Sequence, residues 1–157
     1  MESTGVEAQS TMEQVFRQEG PRLWRSLVLS FGDVDVASDA VAEAFAQLLA
    51  RGPGVHDPTA WVWRAAYKIG AGLMKDRGRD DHLSPEGTVH LPDELVEVLV
   101  ALGQLRPSER EAVVLADYVG YRHAEIGRMV GVSAGAIAVR VHRGRKALRR
   151  LLEVRDE

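Results

Sequence analysis

The 157-residue sequence contains no cysteine, which excludes disulfide frameworks, cysteine-ligated zinc, iron–sulfur clusters and thiol nucleophiles together. No uncharged run approaches the roughly 18–20 apolar residues needed to span a bilayer. The stretch 1–11 is polar and acidic, unlike a secretion signal. Both features lead us to expect a cytoplasmic protein with no membrane partner. A phosphate-cradling loop is also missing, because Gly52-Pro53-Gly54 is not followed by Lys and Ser/Thr. The serines lie in no nucleophile motif. His56, His82, His90, His123 and His142 are scattered, with no pair at ligand spacing on one helix. We therefore expect no metal, no cofactor and no enzymatic activity.

Excess charge of one sign is lacking too: 20 Lys+Arg stand against 23 Asp+Glu, net −3. The charge is unevenly placed, however. Residues 1–94 carry 9 basic and 15 acidic side chains (9 − 15 = −6), whereas residues 95–157 carry 11 and 8 (11 − 8 = +3). Arg140, Arg143, Arg145, Lys146, Arg149 and Arg150 fall within eleven residues that hold no acid. With 45% hydrophobic residues the chain can build one ordinary domain or two small helical ones.

The pattern is helical throughout. Val15, Phe16, Leu23, Trp24, Leu27 and Val28 predict helices on either side of Gly20-Pro21, since proline suits a first turn and breaks an interior. After the Gly32–Asp35 turn, Val41, Phe45, Leu48 and Leu49 form one apolar stripe that ends at Gly52-Pro53-Gly54. Asp57 and Pro58 supply a cap and a first-turn proline for a third helix, with Val62, Ala66, Ile69 and Leu73 on one face; Gly70 and Gly72 weaken it. Asp76–Pro92 lacks periodicity and reads as a linker, its acids Asp76, Asp80, Asp81 and Glu86 being either solubilising or directed to a partner. Beyond it come a short stripe (Leu95, Val98, Leu99, Leu102) and a capping-box signature at Ser108–Glu111 that opens a helix through Leu115 and Tyr118. His123–Val130 and Ala134–Leu152 are two helices around Gly131-Val132-Ser133, with Ser133 as cap. The expected fold is all-α in two small helical domains, 12–77 and 95–152, joined by a short flexible linker at 78–94.

A helix, a tight Gly-containing turn and a second helix can seat the second helix in a DNA major groove. Ala124, Ile126, Val130, Val132, Ile137 and Val141 are the expected core of such a unit. Arg140 and Arg143 would point toward the groove, and the remaining cations toward phosphates. The alternative for an Arg-rich helix is a merely solvated basic face.

Residues 105–115 (LRPSEREAVVL), 120–127 (GYRHAEIG), 131–133 (GVS) and 141–148 (VHRGRKAL) together resemble region 4 of the extracytoplasmic-function sigma factors. The resemblance implies recognition of a promoter minus-35 element, with Arg140, His142, Arg143, Arg145 and Lys146 toward DNA. It departs at Ala136, Ala138 and Val139, where the family usually carries Thr, Lys or Arg, and Ser; Ala and Val can still contact a thymine methyl. Residues 16–23 and 39–45 are similar to region 2, which implies that Asp39, Glu43 and Phe45 dock on the polymerase clamp. Ser38 and Ala42 stand where Glu and Gln are usual. Trp61–Ala66 resembles the stretch that reads the minus-10 element. Trp63 and Tyr67, four apart beside Arg64 and Lys68, suit unstacked bases, each stacked base being worth roughly 1–3 kcal/mol, or else a packed core. Lys68 and Gly72 replace the usual Asn and Asp. The implied partners are bacterial core RNA polymerase, promoter DNA and an anti-sigma factor. The substitutions at Ala42, Lys68, Gly72, Ala136, Ala138 and Val139 motivate a second reading, a sigma-like regulator that does not itself support initiation.

Overall fold

The computed structural model describes residues 2–77 and 92–153; most of the expected linker, with Asp80, Asp81 and Glu86, lies outside them. Among the described residues there is no strand. The helices are α1 (Glu2–Phe31), α2 (Val34–Arg51), α3 (Pro58–Asp76), α4 (Asp93–Leu102), α5 (Pro107–Val113), α6 (His123–Val130) and α7 (Ala134–Glu153). A 3-10 turn at Gly52–Gly54 separates α2 from α3, and α5 runs on into a π-helical turn, Val114–Val119.

Polar side chains set several helix starts. Asp33 accepts from the Val36 amide at 3.0 Å to open α2, and Asp57 accepts from the Ala60 amide at 3.1 Å to open α3, with Pro58 in the first turn. Two expectations are corrected. Pro21 does not separate two helices but lies inside α1. Gly20, without a Cβ, relieves the usual clash between a proline and the residue before it, and the fully buried Leu23, Leu27 and Val28 hold the continuous helix by packing. The Ser108 capping box does not form: α5 starts at Pro107 with Arg106 in extended geometry as its cap residue. A residue before proline is pushed toward that geometry, which moves the helix start two residues earlier.

The core is one contiguous cluster running from Met12 on α1 through Val62, Trp63 and Tyr67 on α3 to Leu99, Leu115, Ile126, Ile137 and Val141. α1, α2 and α3 pack together, α7 lies across α5 and α6, and α1 and α3 touch the π-turn and α6 respectively. The apolar stripes fall short at their edges. Leu49 is 56% exposed, Phe16 52% and Val98 48%, each sitting at the margin of its helix face, where a 100° step carries it out of the core. Gly70 is needed rather than merely tolerated, because a Cβ there would stand 2.7 Å from the Phe31 ring.

Two arginines join the N-terminal helices to the C-terminal ones. Arg110 on α5 donates from Nε to the Leu29 carbonyl oxygen at 2.6 Å, and Arg22 on α1 donates from Nη2 to the Val119 carbonyl oxygen at 2.7 Å. Gly32, with φ +67°, ends α1 directly under the Arg110 guanidinium, where a Cβ would come within 2.8 Å of it. Left-handed geometry and lack of space both require glycine at that position.

Candidate nucleic-acid interface

The helix-turn-helix forms between α6 and α7. Glu125 folds back to accept from the Arg122 amide at 3.2 Å and from its Nε at 2.8 Å, which closes the start of α6. Gly131, at φ +79°, ends it; the Gly131 and Val132 amides donate to the Gly127 carbonyl oxygen at 2.8 and 3.0 Å. The Ser133 hydroxyl oxygen then accepts from the Ala136 amide at 3.1 Å and opens α7. Ile126, Ile137 and Val141 are buried between the helices, with Val130 and Val132 half-buried around them. Ala124, expected in this core, is exposed: two residues before Ile126 it is turned about 200° away.

The basic residues of α7 divide between its flanks. Arg143, Lys146 and Arg150 line an open cleft with Arg106 and Glu109 of the α5 start. Arg145 points the other way, into a two-pronged ion pair with Asp117, Nε to Oδ2 at 2.9 Å and Nη2 to Oδ1 at 2.5 Å. Arg140 is half-buried, and its charge acts on the Glu111 carboxyl. His142 is exposed. The Asp117 partner and the Arg106 contribution come from other elements, so the spacing of α7 alone carries no sign of them.

Burial pushes the Glu111 carboxyl up to about 7, partly countered by the Arg140 charge. The folded protein therefore keeps this proton across a range in which the unfolded chain, at the ordinary 4.5, has lost it. The stabilising contribution is complete below pH about 4.5 and disappears as pH rises through about 7. Urea midpoints at pH 5 and pH 8 should differ less in Glu111→Gln than in the wild type, with the variant the more stable at pH 8.

The pair expected either to stack on bases or to pack in a core is buried in the free protein. Trp63 and Tyr67 are each 1% exposed and lie stacked with centroids 6.4 Å apart. The Trp63 indole donates to Glu19 Oε2 at 2.9 Å, and the Tyr121 ring meets it edge-on at 5.8 Å. The Tyr67 hydroxyl bonds to Ser26 and, at 2.8 Å, to Ser30, and burial pushes its pKa up. Both aromatics share the α3 face that carries Val62, Ala66 and Gly70, and that face is the one α1 covers. Arg64 and Lys68 lie outside it and are exposed. On α2, Asp39 and Glu43 are exposed, with Glu43 accepting from Gln47 at 3.0 Å. Phe45, expected at the docking surface, is instead buried beneath it, edge-on to Phe16 with centroids 4.8 Å apart. The exposed aromatic of that pair is Phe16.

The helical fold and the capped, basic helix-turn-helix define an all-α DNA-binding protein. Residues 95–148 match the family model described as sigma-70, region 4. The chain is 33% identical over 159 residues to RNA polymerase sigma factor CarQ of Myxococcus xanthus, covering 92% of this chain and 91% of that protein. It is 28% identical to ECF RNA polymerase sigma factor SigE of Mycolicibacterium smegmatis, over 94% of this chain and 64% of that one. Among solved structures, CnrH in complex with the cytosolic domain of CnrY superposes with a TM-score of 0.70 at 27% identity, covering 97% of this chain and 94% of that one. The sigma factor RpoE bound to the anti-sigma factor NepR from Bartonella quintana gives 0.70 at 24% identity, covering 90% and 96%, and supports the fold. The chain belongs to the extracytoplasmic-function RNA polymerase sigma factors, subunits that direct core polymerase to promoters for transcription initiation. No helix among the described residues is long and apolar enough to cross a membrane.

Proposed function

We propose that this sigma factor acts in the cytoplasm by binding alone. In this reading residues 12–77 hold the polymerase clamp and the minus-10 region, 78–94 link, and 95–152 recognise the minus-35 element. The observation that carries it is the α6–α7 unit, whose turn is fixed by Gly131 and Ser133 and whose cations Arg143, Lys146 and Arg150 stand outside its core. Asp39 and Glu43 form the polar part of the polymerase-docking face and Phe16 and Leu49 its apolar part, with Phe45 as the support beneath. Arg64 and Lys68 serve phosphates of the minus-10 region. Trp63 and Tyr67 support that face from within the core. By analogy with the NepR and CnrY complexes, an anti-sigma protein is a further partner.

Run-off transcription with purified core polymerase and genomic promoter fragments tests the reading. A discrete transcript that depends on this protein supports it, and failure to bind core at low salt sinks it. Arg143→Ala should weaken holoenzyme binding to the promoter by roughly 1–3 kcal/mol and relax sequence selectivity; an equal loss on all sequences would make Arg143 a phosphate contact instead. Fluorescence transfer between labels on α2 and α7 should report a longer distance in the holoenzyme than in the free protein, and equal distances would contradict opening.

A further inference from the structure

Resting on the reading of residues 95–152 as the minus-35 domain, we propose that Val139 is the specificity-determining side chain of α7 and selects a thymine through its C5-methyl group. Ile137 and Val141 fix which side of α7 faces the core. A 100° step places Val139 about 180° from their mean direction, in line with Gly135, His142 and Lys146. Helices of this type touch base edges with their N-terminal residues. The outward line through the first turns of α7 therefore offers Gly135 and Val139, with the exposed Ala138 beside them, and none of these has a side-chain donor or acceptor. His142 is the first hydrogen-bonding group along that line.

Arg140 and Arg145 do not compensate, and Arg143 follows one turn later. Arg140 is half-buried on the flank toward Glu111, and Arg145 is turned into its ion pair with Asp117. Val139 is meanwhile 49% exposed, a large apolar side chain with no protein partner over half its surface. Among major-groove features, the thymine methyl is the one that an apolar side chain can recognise directly, since guanine, cytosine and adenine present polar edges. Selection by one methyl is modest, and Lys146 and Arg150 of the cleft supply sequence-independent attraction beside it.

The test uses holoenzyme assembled from core polymerase and the full chain, on a promoter library randomised across the upstream element with the downstream element held constant. Transcribed templates should be enriched in thymine at one position. Placing deoxyuridine there, which removes only the methyl, should lower the transcript about fourfold, the equivalent of the ~0.8 kcal/mol of one buried carbon unit. Val139→Ala, with a shorter side chain, should narrow the preference for thymine over uracil, whereas Val139→Ile should keep it; unchanged melting temperatures would show that both variants fold. Enrichment of guanine or cytosine alone, or equal use of uracil and thymine by the wild type, would overturn the assignment of Val139 and leave the sigma reading intact. Absence of any transcript from the library would overturn both.

Discussion

Trp63→Ala should cost the free protein about 3–5 kcal/mol of stability, read as a lowered urea midpoint, because it empties a large site in a packed core. The indole is 1% exposed, stacks on Tyr67, meets the Tyr121 ring edge-on and donates to Glu19. Deleting it removes apolar contacts to α1 and to the residue that precedes α6, and leaves a carboxylate oxygen without its donor. Trp63→Phe should cost less, since one aromatic ring remains; it loses the indole hydrogen bond, worth about 1 kcal/mol, and the volume of the second ring. A tryptophan held ready solely to stack on DNA would be exposed in the free protein, and its removal would leave the midpoint unchanged. The free-protein measurement therefore separates the two roles before any promoter is in hand.

Gly127→Val should abolish promoter binding by the holoenzyme and destabilise the protein by about 3 kcal/mol, the upper end of the usual cost of overpacking. A Cβ at Gly127 would stand 2.5 Å from the Val132 carbonyl oxygen and 3.3 Å from the Ser133 carbonyl carbon. Both are backbone atoms of the turn, so no side chain can swing aside, and α7 must move away from α6. The amides of Gly131 and Val132 also lose their geometry, because both donate to the carbonyl of residue 127. Gly72→Ala is the matching control. Its Cβ enters open space on an exposed face of α3, where replacing a helix-interior glycine should add about 0.5–1 kcal/mol. Thermal melting of the two variants should move in opposite directions relative to wild type, and promoter binding should fall in Gly127→Val alone.

The parts of the molecule legible in the sequence are those in which adjacent residues act on one another. The caps at Asp57 and Ser133, the bounds of α6 and the turn before α7 follow from local chemistry, and the capping hydroxyl and carboxylate make the bonds their positions imply. Features that depend on distant partners were hidden. The spacing of Trp63 and Tyr67 fits bases and a core equally well. What decides between them is that α1 supplies Ser26, Ser30 and Glu19 on that side, and nothing near residue 63 encodes it. Pro21 misleads because a local rule about helix breaking is outweighed by the packing of three buried side chains a turn or two later. Glu111 is a charged residue in a polar run, PSEREA, and its displaced titration arises only once the fold buries it, against the pull of Arg140. Asp117 is likewise an ordinary acid until Arg145 arrives from 28 positions further along.

Two hydrogen bonds that cross from the N-terminal to the C-terminal helices share a property that bears on evolution rather than on energy. Arg110 and Arg22 both end on main-chain carbonyl oxygens, those of Leu29 and Val119. Every amino acid carries that acceptor, so positions 29 and 119 can drift among residues that preserve the local backbone without losing either bond. The mutational burden falls on the donors and on Gly32, which leaves room for the Arg110 guanidinium. Unlike a charge pair, neither hydrogen bond asks its donor and acceptor codons to change together, and a lineage can retune the side chains at positions 29 and 119 while keeping both.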